Sequence, residues 1–136
     1  MAVSRTTTVN QQFGYLFGAV YALVGIVGFV VTADVGFVAT EGNNLIIFGL
    51  NPLHNVIHVA VGALFIAGAR MGERTSRQVN LLVGGVYLLV GVVGFALVGT
   101  SANIIALNQA DNLLHLATAA VALGVGSGRL ALPVRH

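Results

Sequence analysis

The sequence contains no cysteine and no lysine. Without cysteine, disulfide bonds and thiolate metal ligands are excluded. Charge is scarce as well: acidic and basic residues together make up only 7% of the 136 residues, whereas a soluble domain carries about a quarter. The six arginines are scattered and do not form the basic face that binds several phosphates, so we expect no nucleic-acid partner.

Long apolar runs dominate what is present, and hydrophobic residues account for 57% of the chain. A transmembrane helix needs about 20 mostly apolar residues. Four windows qualify, and they cover residues 13–32, 51–69, 79–98 and 111–126. The sequence therefore predicts an all-α membrane fold, a four-helix transmembrane bundle at residues 13–128, with polar tails at 1–12 and 129–136.

Two pairs of segments repeat within the chain. Residues 18–29 (GAVYALVGIVGF) match residues 84–95 (GGVYLLVGVVGF), and residues 50–58 (LNPLHNVIH) share Leu, Asn, Asn and His in register with residues 107–115 (LNQADNLLH). An internal repeat of this kind predicts two parallel helical hairpins, at 13–70 and 79–128. The loop of the first hairpin is longer by nine residues.

The arginines predict the orientation. They lie before the first window, between the second and third, and after the fourth, and the other two loops carry none. The positive-inside rule then places both termini in the cytoplasm and the two nonamers near the outer face. We expect the chain to be integral to the plasma (inner) membrane, in contact with the lipid bilayer.

Glycine and tyrosine recur every three or four residues along the first and third windows. Small residues let helix backbones approach closely in lipid, so these faces predict tight helix packing. The alternative is a groove for a ligand or a quinone, with tyrosine as a lid. The same chemistry suggests a homo-oligomer or a subunit of a larger membrane complex. The residues concerned are Gly18, Tyr21, Gly25, Gly28, Gly84, Tyr87, Gly91 and Gly94.

Nearly every polar group inside the apolar region falls in the two nonamers. Asn51, followed by Pro52, and Asn108 are suited to cap the second and fourth helices. Capping does not explain His58 and His115, which lie seven residues further along. Ionisable side chains at membrane depth are costly and indicate a functional site.

Three hypotheses explain these polar groups. In the first, they form a purely structural clasp that fixes helix register. In the second, His54, His58, Asp111 and His115 bind one transition-metal ion (Zn, Fe, Cu or Ni). Asparagines would then accept the ring N–H groups. These asparagines are Asn51, Asn55, Asn108 and Asn112.

In the third hypothesis, His58 and His115 are the axial ligands of one b-type haem, as in an electron carrier. A proton or small-substrate path is less well supported, because the buried acidic relay that it needs is lacking. No hydrolase or transferase constellation is present, since the serines lie away from the histidines. We therefore expect a non-catalytic binding protein or accessory subunit.

The motifs Asn-x2-His-Asn-x2-His at residues 51–58 and Asp-Asn-x2-His at 111–115 carry a resemblance to a known family. The chain resembles the domain-of-unknown-function 4383 family of small four-helix bacterial membrane proteins, over roughly residues 13–126. The resemblance implies the topology and the location of the site. It implies no activity and does not choose among the three hypotheses.

Overall fold

The computed structural model describes residues 7–130 as four helices and one short hairpin. The helices are α1 (Val9–Val31), α2 (Pro52–Arg70), α3 (Glu73–Leu97) and α4 (Gln109–Gly126). Strands β1 (Asn43–Leu45) and β2 (Phe48–Leu50) pair antiparallel, with Leu45 opposite Phe48. α1 packs mainly against α2, and α3 against α4. The predicted four-helix, all-α architecture is confirmed.

Three of the four helices, α1, α2 and α3, are long and apolar enough to cross a membrane. The fourth does not qualify as a candidate span, so the prediction of four equivalent spans goes too far. The reason lies in its composition: the 18 residues of α4 include Gln109, Asp111, Asn112 and His115. These polar residues lower its hydropathy over the whole helix length.

The outward faces of the helices are apolar. Leu23, Ile26 and Val30 on α1 are exposed, as are Leu89 and Val92 on α3. Contiguous exposed apolar surface of this extent is rare on a soluble monomer. It suits helices that are surrounded by lipid, and it agrees with the lengths of the three candidate spans.

The turn between α2 and α3 is much shorter than the hydropathy pattern predicts. Only Met71 and Gly72 separate the two helices, and α3 begins six residues before the apolar window. Gly72 has φ +110°, a conformation that glycine adopts readily. Arg77, expected in a solvated loop, lies on α3 and donates from Nε to the Gly126 carbonyl at 2.8 Å. A hydropathy window ends where the residues become polar, whereas the backbone hydrogen bonds of a helix continue through a polar first turn. The window therefore starts later than the helix does.

α1 likewise begins earlier than its apolar window. Its first residue, Val9, lies within the predicted polar tail, and Thr8 and Gln11 form a capping box there. The amide of Asn10 and the hydroxyl of Thr8 both donate to the Glu73 carboxylate. This end of α1 is therefore attached to α3 by polar contacts.

Glycines lie where the two helices of each pair contact each other. A Cβ at Gly25 would lie 2.7 Å from the Asn55 carbonyl of α2, and one at Gly91 would lie 2.8 Å from Leu116 of α4. The remaining interface glycines, Gly18 and Gly28 on α1 and Gly84 and Gly94 on α3, are equally crowded by the partner helix. The absence of side chains at these positions lets α1 approach α2, and α3 approach α4.

The loops that connect α1 to α2 and α3 to α4 fold over the first turns of α2 and α4. The amide of Asn51 donates to the carbonyls of Ala39 and Ile104, at 2.7 and 2.8 Å, and so joins the two loops. Asn103 donates to the Thr40 carbonyl at 3.2 Å. The longer first loop contains the β1–β2 hairpin, which the sequence did not predict. Together these loops form a cap above the histidines.

Candidate metal site between helices two and four

Asparagine caps start both site helices at the same end of the bundle. The Asn51 Oδ1 accepts the backbone N–H of His54 at 2.8 Å, and Pro52 occupies the first position of α2. At α4, Asn108 Oδ1 accepts the N–H of Asp111 at 3.0 Å. Both predicted caps are confirmed. They set the helical phase that turns the histidines toward the bundle interior.

The structure brings three histidines together. His54, His58 and His115 are 1%, 5% and 3% exposed, and one ligand nitrogen from each lies within 4.8 Å of the other two. The ring centroid of His54 lies 4.4 Å from that of His58 and 6.0 Å from that of His115. Two imidazoles of α2 and one of α4, at least 57 residues further along the chain, thus converge on one point inside the bundle.

Hydrogen bonding distinguishes the three rings. His54 Nδ1 lies 3.1 Å from the Gly49 carbonyl, so the tautomer protonated at Nδ1 donates there and leaves Nε2 unprotonated. Within residues 7–130, both ring nitrogens of His58 and Nδ1 of His115 are buried without a hydrogen-bond partner. Leaving a buried polar group unpaired costs about 1–3 kcal/mol. Such groups need a physical explanation.

Asp111 is not brought into this group of ligand atoms. Its Oδ2 accepts two backbone N–H groups, from Asn108 at 2.9 Å and from Gly49 at 3.0 Å. Gly49 therefore connects two predicted site residues, because its N–H binds Asp111 and its carbonyl faces His54. The carboxylate holds the strand that orients the histidine.

The contacts of the four asparagines differ from the hydrogen bonds to ring N–H groups that the metal hypothesis assigned to them. Asn51 and Asn108 bond to backbone groups of the loops between the helices, the latter to Ile47 at 2.9 Å. Asn55 donates to the Thr32 hydroxyl at 2.9 Å, while neither side-chain atom of Asn112 has a partner among the described residues. The amides of Asn55 and Asn112 instead pack on the glycine faces of α1 and α3.

The sequence was compared with family models, with curated proteins and with solved structures. The model of a family described as a domain of unknown function (DUF4383) matches residues 11–127. The chain belongs to the DUF4383 family. The match contains all three histidines of the group. No curated protein and no solved structure matches.

Two tyrosines lie against the histidines of this DUF4383 member, although the sequence predicted them as packing residues or as the lid of a ligand groove, and not as neighbours of the histidines. The rings of Tyr21 and His58 meet edge-on with their centroids 5.2 Å apart, and those of Tyr87 and His115 meet edge-on with their centroids 4.8 Å apart. The Tyr21 hydroxyl is hydrogen-bonded to Thr118 at 2.9 Å. The one feature of the sequence that could have indicated these tyrosines is their matching position in the two predicted repeats. No feature of the sequence indicated Thr118.

Proposed function

We propose that this DUF4383 protein binds one transition-metal ion on His54, His58 and His115, as a non-catalytic binding protein or accessory subunit in the bacterial plasma membrane. The observation that carries the proposal is the convergence of three buried imidazoles from two helices, with one nitrogen from each within 4.8 Å of the others. Three ring nitrogens at this point have no protein partner in residues 7–130.

The geometry requires little movement to hold an ion. Nitrogens that lie about 2.0–2.1 Å from one tetrahedral zinc ion are about 3.3–3.4 Å apart. The ligand nitrogens, now within 4.8 Å of one another, need to close by about 1.5 Å at most. Imidazole ligands suit Zn, Cu, Fe and Ni. Three protein ligands leave one coordination position open, which a water or a fourth ligand would fill.

The unpaired atoms favour an ion over a purely structural clasp. In a clasp, the imidazoles and amides would satisfy one another across the helix interface. Here His58 has two unpaired nitrogens and His115 has one. An ion supplies a partner for one nitrogen of each ring, and the contact of His54 with Gly49 selects the tautomer that ligates through Nε2.

The same geometry favours an ion over haem b. Axial ligation by His58 and His115 would require a macrocycle between the two rings. A nitrogen of His54 lies within 4.8 Å of both, and all three rings are enclosed by protein. A single ion uses this third imidazole, whereas a haem would have to displace it.

We further propose that α4 is a fourth membrane crossing and that both termini are cytoplasmic. The polar residues that lower the hydropathy of α4 point inward: Asp111, Asn112 and His115 are buried, whereas Leu113 and Val121 are exposed. The surface that α4 presents to its surroundings is therefore apolar. An arrangement of two parallel hairpin repeats accounts for the similar partners of the glycines on α1 and α3.

Elemental analysis of the full chain tests the proposal. The protein would be purified in mild detergent through an affinity tag without histidine, and loaded with Zn²⁺ or Cu²⁺. We expect about one ion per chain, with at least a tenfold loss of affinity in His58→Ala and His115→Ala. Gln109→Ala replaces an exposed polar residue on α4, the helix of His115, and this variant should bind metal as the unchanged chain does. Binding should weaken below about pH 6, since protonated imidazole does not ligate.

An absorption spectrum of the same samples separates the alternatives. A strong Soret band that is lost in His58→Ala would replace the ion with haem b. If neither metal nor haem is retained or taken up, and His54→Ala only lowers thermal stability, the histidines form a structural clasp and the proposal is wrong.

A further inference from the structure

We propose that the cavity at the carboxyl end of α4 binds an anionic phospholipid, with an acyl chain lying along α4 and the phosphate group beside Arg77 and Arg129. The site lies at the end of α4 remote from its Asn108 cap and involves none of the three histidines. The proposal therefore goes beyond metal binding, and it rests only on the proposed crossing of the membrane by α4.

The cavity lies on the exposed surface of the α3–α4 pair and has a volume of about 520 Å³. This volume falls within the range of about 300–1,000 Å³ that is typical of small-ligand sites. Along the helices its wall is apolar, and it is lined there by Leu81 of α3 and by Ala120 and Leu123 of α4. A wall of this composition suits a hydrocarbon chain.

A reverse turn after α4 forms the polar end of the cavity. Gly128 has φ +78°, a conformation that glycine adopts readily, and the N–H of Leu130 donates to the Gly124 carbonyl at 3.1 Å. A Cβ at Gly124 would lie 2.5 Å from Leu130 Cδ1, so the turn packs directly on the helix. The turn places Arg129, the one charged side chain among the described lining residues, at the exposed edge of the cavity.

Arg77 of α3 brings a second cation to the same end of α4. Its Nε–H donates to the Gly126 carbonyl at 2.8 Å and uses one of the five N–H donors of the guanidinium. This contact also offsets the partial negative charge at the carboxyl end of a helix, which by itself would repel an anion. Guanidinium groups bind phosphate oxygens through pairs of N–H bonds. Two arginines, with no acid among the described lining residues, therefore favour an anion that contains phosphate.

The depth of the cavity indicates a phosphate that belongs to a lipid. α4 has 18 residues, which span about 27 Å at a rise of about 1.5 Å per residue. Since the hydrocarbon layer is about 30 Å thick, a crossing helix of this length ends near the headgroups, and Arg129 lies at their level. A free phosphate ion would leave the apolar wall uncovered, and a neutral lipid would not pair with two arginines. An anionic phospholipid contacts both.

Native mass spectrometry of the full chain in mild detergent tests the role of charge. The probes are dioleoylphosphatidylglycerol, which is anionic, and dioleoylphosphatidylcholine, which has the same acyl chains and no net charge. We expect one bound phosphatidylglycerol per chain, with a preference over phosphatidylcholine that falls about fivefold in Arg129→Gln, the effect of one cation beside an anionic lipid. Arg74→Gln removes the same charge from an exposed position outside the cavity, and it should leave the preference unchanged.

A second pair of variants tests the apolar wall. Ala120→Phe adds a large side chain inside the cavity and should weaken phosphatidylglycerol binding at least as much as Arg129→Gln does. Ala117→Phe is the matched control, because Ala117 is exposed on the same helix and does not line the cavity. This variant should bind phosphatidylglycerol as the unchanged chain does.

Two kinds of result would overturn the proposal. One is an equal affinity of the unchanged chain for the two lipids, or an equal loss of preference in Arg129→Gln and Arg74→Gln. The other is displacement of phosphatidylglycerol by millimolar inorganic phosphate, since the cavity would then bind the free ion and not the lipid.

Metal content is measured on the same samples, so the proposals fail separately. A stoichiometric metal ion in a protein without the lipid preference would overturn the lipid site alone, and the reverse result would overturn the metal site alone. Protection of Ser127→Cys from a membrane-impermeant maleimide in intact cells, together with no lipid preference, would overturn the lipid site and leave the crossing of α4 in place.

Discussion

At the scale of single residues, Gly49 links Asp111 to His54. The Asp111 carboxylate accepts the N–H of Gly49, and the carbonyl of the same residue lies 3.1 Å from His54 Nδ1. A Cβ at Gly49 would lie 2.6 Å from the Ala106 carbonyl, so this close approach requires glycine. Through these contacts Asp111 supports the strand and the helix cap, whereas the sequence predicted it as a metal ligand.

The substitution Asp111→Asn separates these two roles. The amide oxygen still accepts backbone N–H groups, so we expect the unfolding free energy to fall by only about 0.5–1.5 kcal/mol, the cost of weaker hydrogen bonds. Metal stoichiometry should stay at that of the unchanged chain. Elemental analysis together with thermal unfolding in detergent measures both quantities.

His115→Ala, on the same helix, is the comparison for Asp111→Asn. It should lose the ion, because it removes a ligand nitrogen. If Asp111→Asn loses the ion to the same extent, the carboxylate is a ligand, and the site has the four-ligand composition that the sequence first indicated.

The limits of sequence reasoning at this scale follow from helix geometry. Spacing correctly placed Asp111 and His115 on one face of α4, because residues four apart share a face. Spacing does not show which groups are already satisfied. Asp111 stands in the first turn, where free backbone N–H groups are available, so its carboxylate binds them. His115, one turn further, has no such donors.

At the scale of the helices, glycine sets the distance between α1 and α2. Gly25 lies against the backbone of α2, and an added methyl group would meet the Asn55 carbonyl at 2.7 Å and the Val59 nitrogen at 3.0 Å. Backbone atoms cannot move aside as the end of a side chain can. A larger residue must therefore push the helices apart, and this would also displace Asn55 and the histidine turn beside it.

We expect Gly25→Ala to lower the unfolding free energy by about 1–3 kcal/mol, since overpacking outweighs the helix preference of alanine. Gly85→Ala is the matched control, because nothing lies within 4 Å of its Cβ position on α3. It should be neutral or slightly stabilising. Unfolding in detergent, followed by circular dichroism, measures both variants. Equal stabilities would show that the α1–α2 contact is looser than the distances indicate.

The loop between α1 and α2 shows what a prediction of helices and loops from the sequence misses. The extra length of the first loop was evident from the repeat, but the β1–β2 hairpin was not. Its strands have three residues each, too few for an alternating pattern to be recognised. The hairpin is held by tertiary contacts, among them the bonds of Asn108 to Ile47 and of Asp111 to Gly49.

At the scale of the whole molecule, the outside is apolar and many polar side chains are buried, which is the reverse of the usual distribution in a soluble domain. Buried asparagines and histidines lie inside the bundle, while leucine and valine cover its outside. This arrangement suits lipid, where apolar side chains lose nothing by exposure.

Single cysteines test the proposed topology, since the chain contains none of its own. Ile46→Cys, at the 85% exposed tip of the hairpin, should react in intact cells with a membrane-impermeant maleimide. Met71→Cys, in the 73% exposed turn at the opposite end, should react only after the membrane is opened. This outcome follows from the arginine distribution.

Ser127→Cys, just beyond the end of α4, tests the fourth crossing. It should behave as Met71→Cys does if α4 spans the membrane. Labelling of Ser127→Cys in intact cells, with Met71→Cys protected, would leave three crossings and place the carboxyl end outside.

The sequence by itself determined the four helices, the caps of α2 and α4, the apolar exterior and the three histidines, because each depends on composition or on spacing along one segment. Only the tertiary structure decided that His54 joins His58 and His115 while Asp111 binds backbone N–H groups instead. It also placed Tyr21 and Thr118 beside the site. These features depend on which helices touch and how closely, and local patterns carry no information about distances between segments remote in sequence.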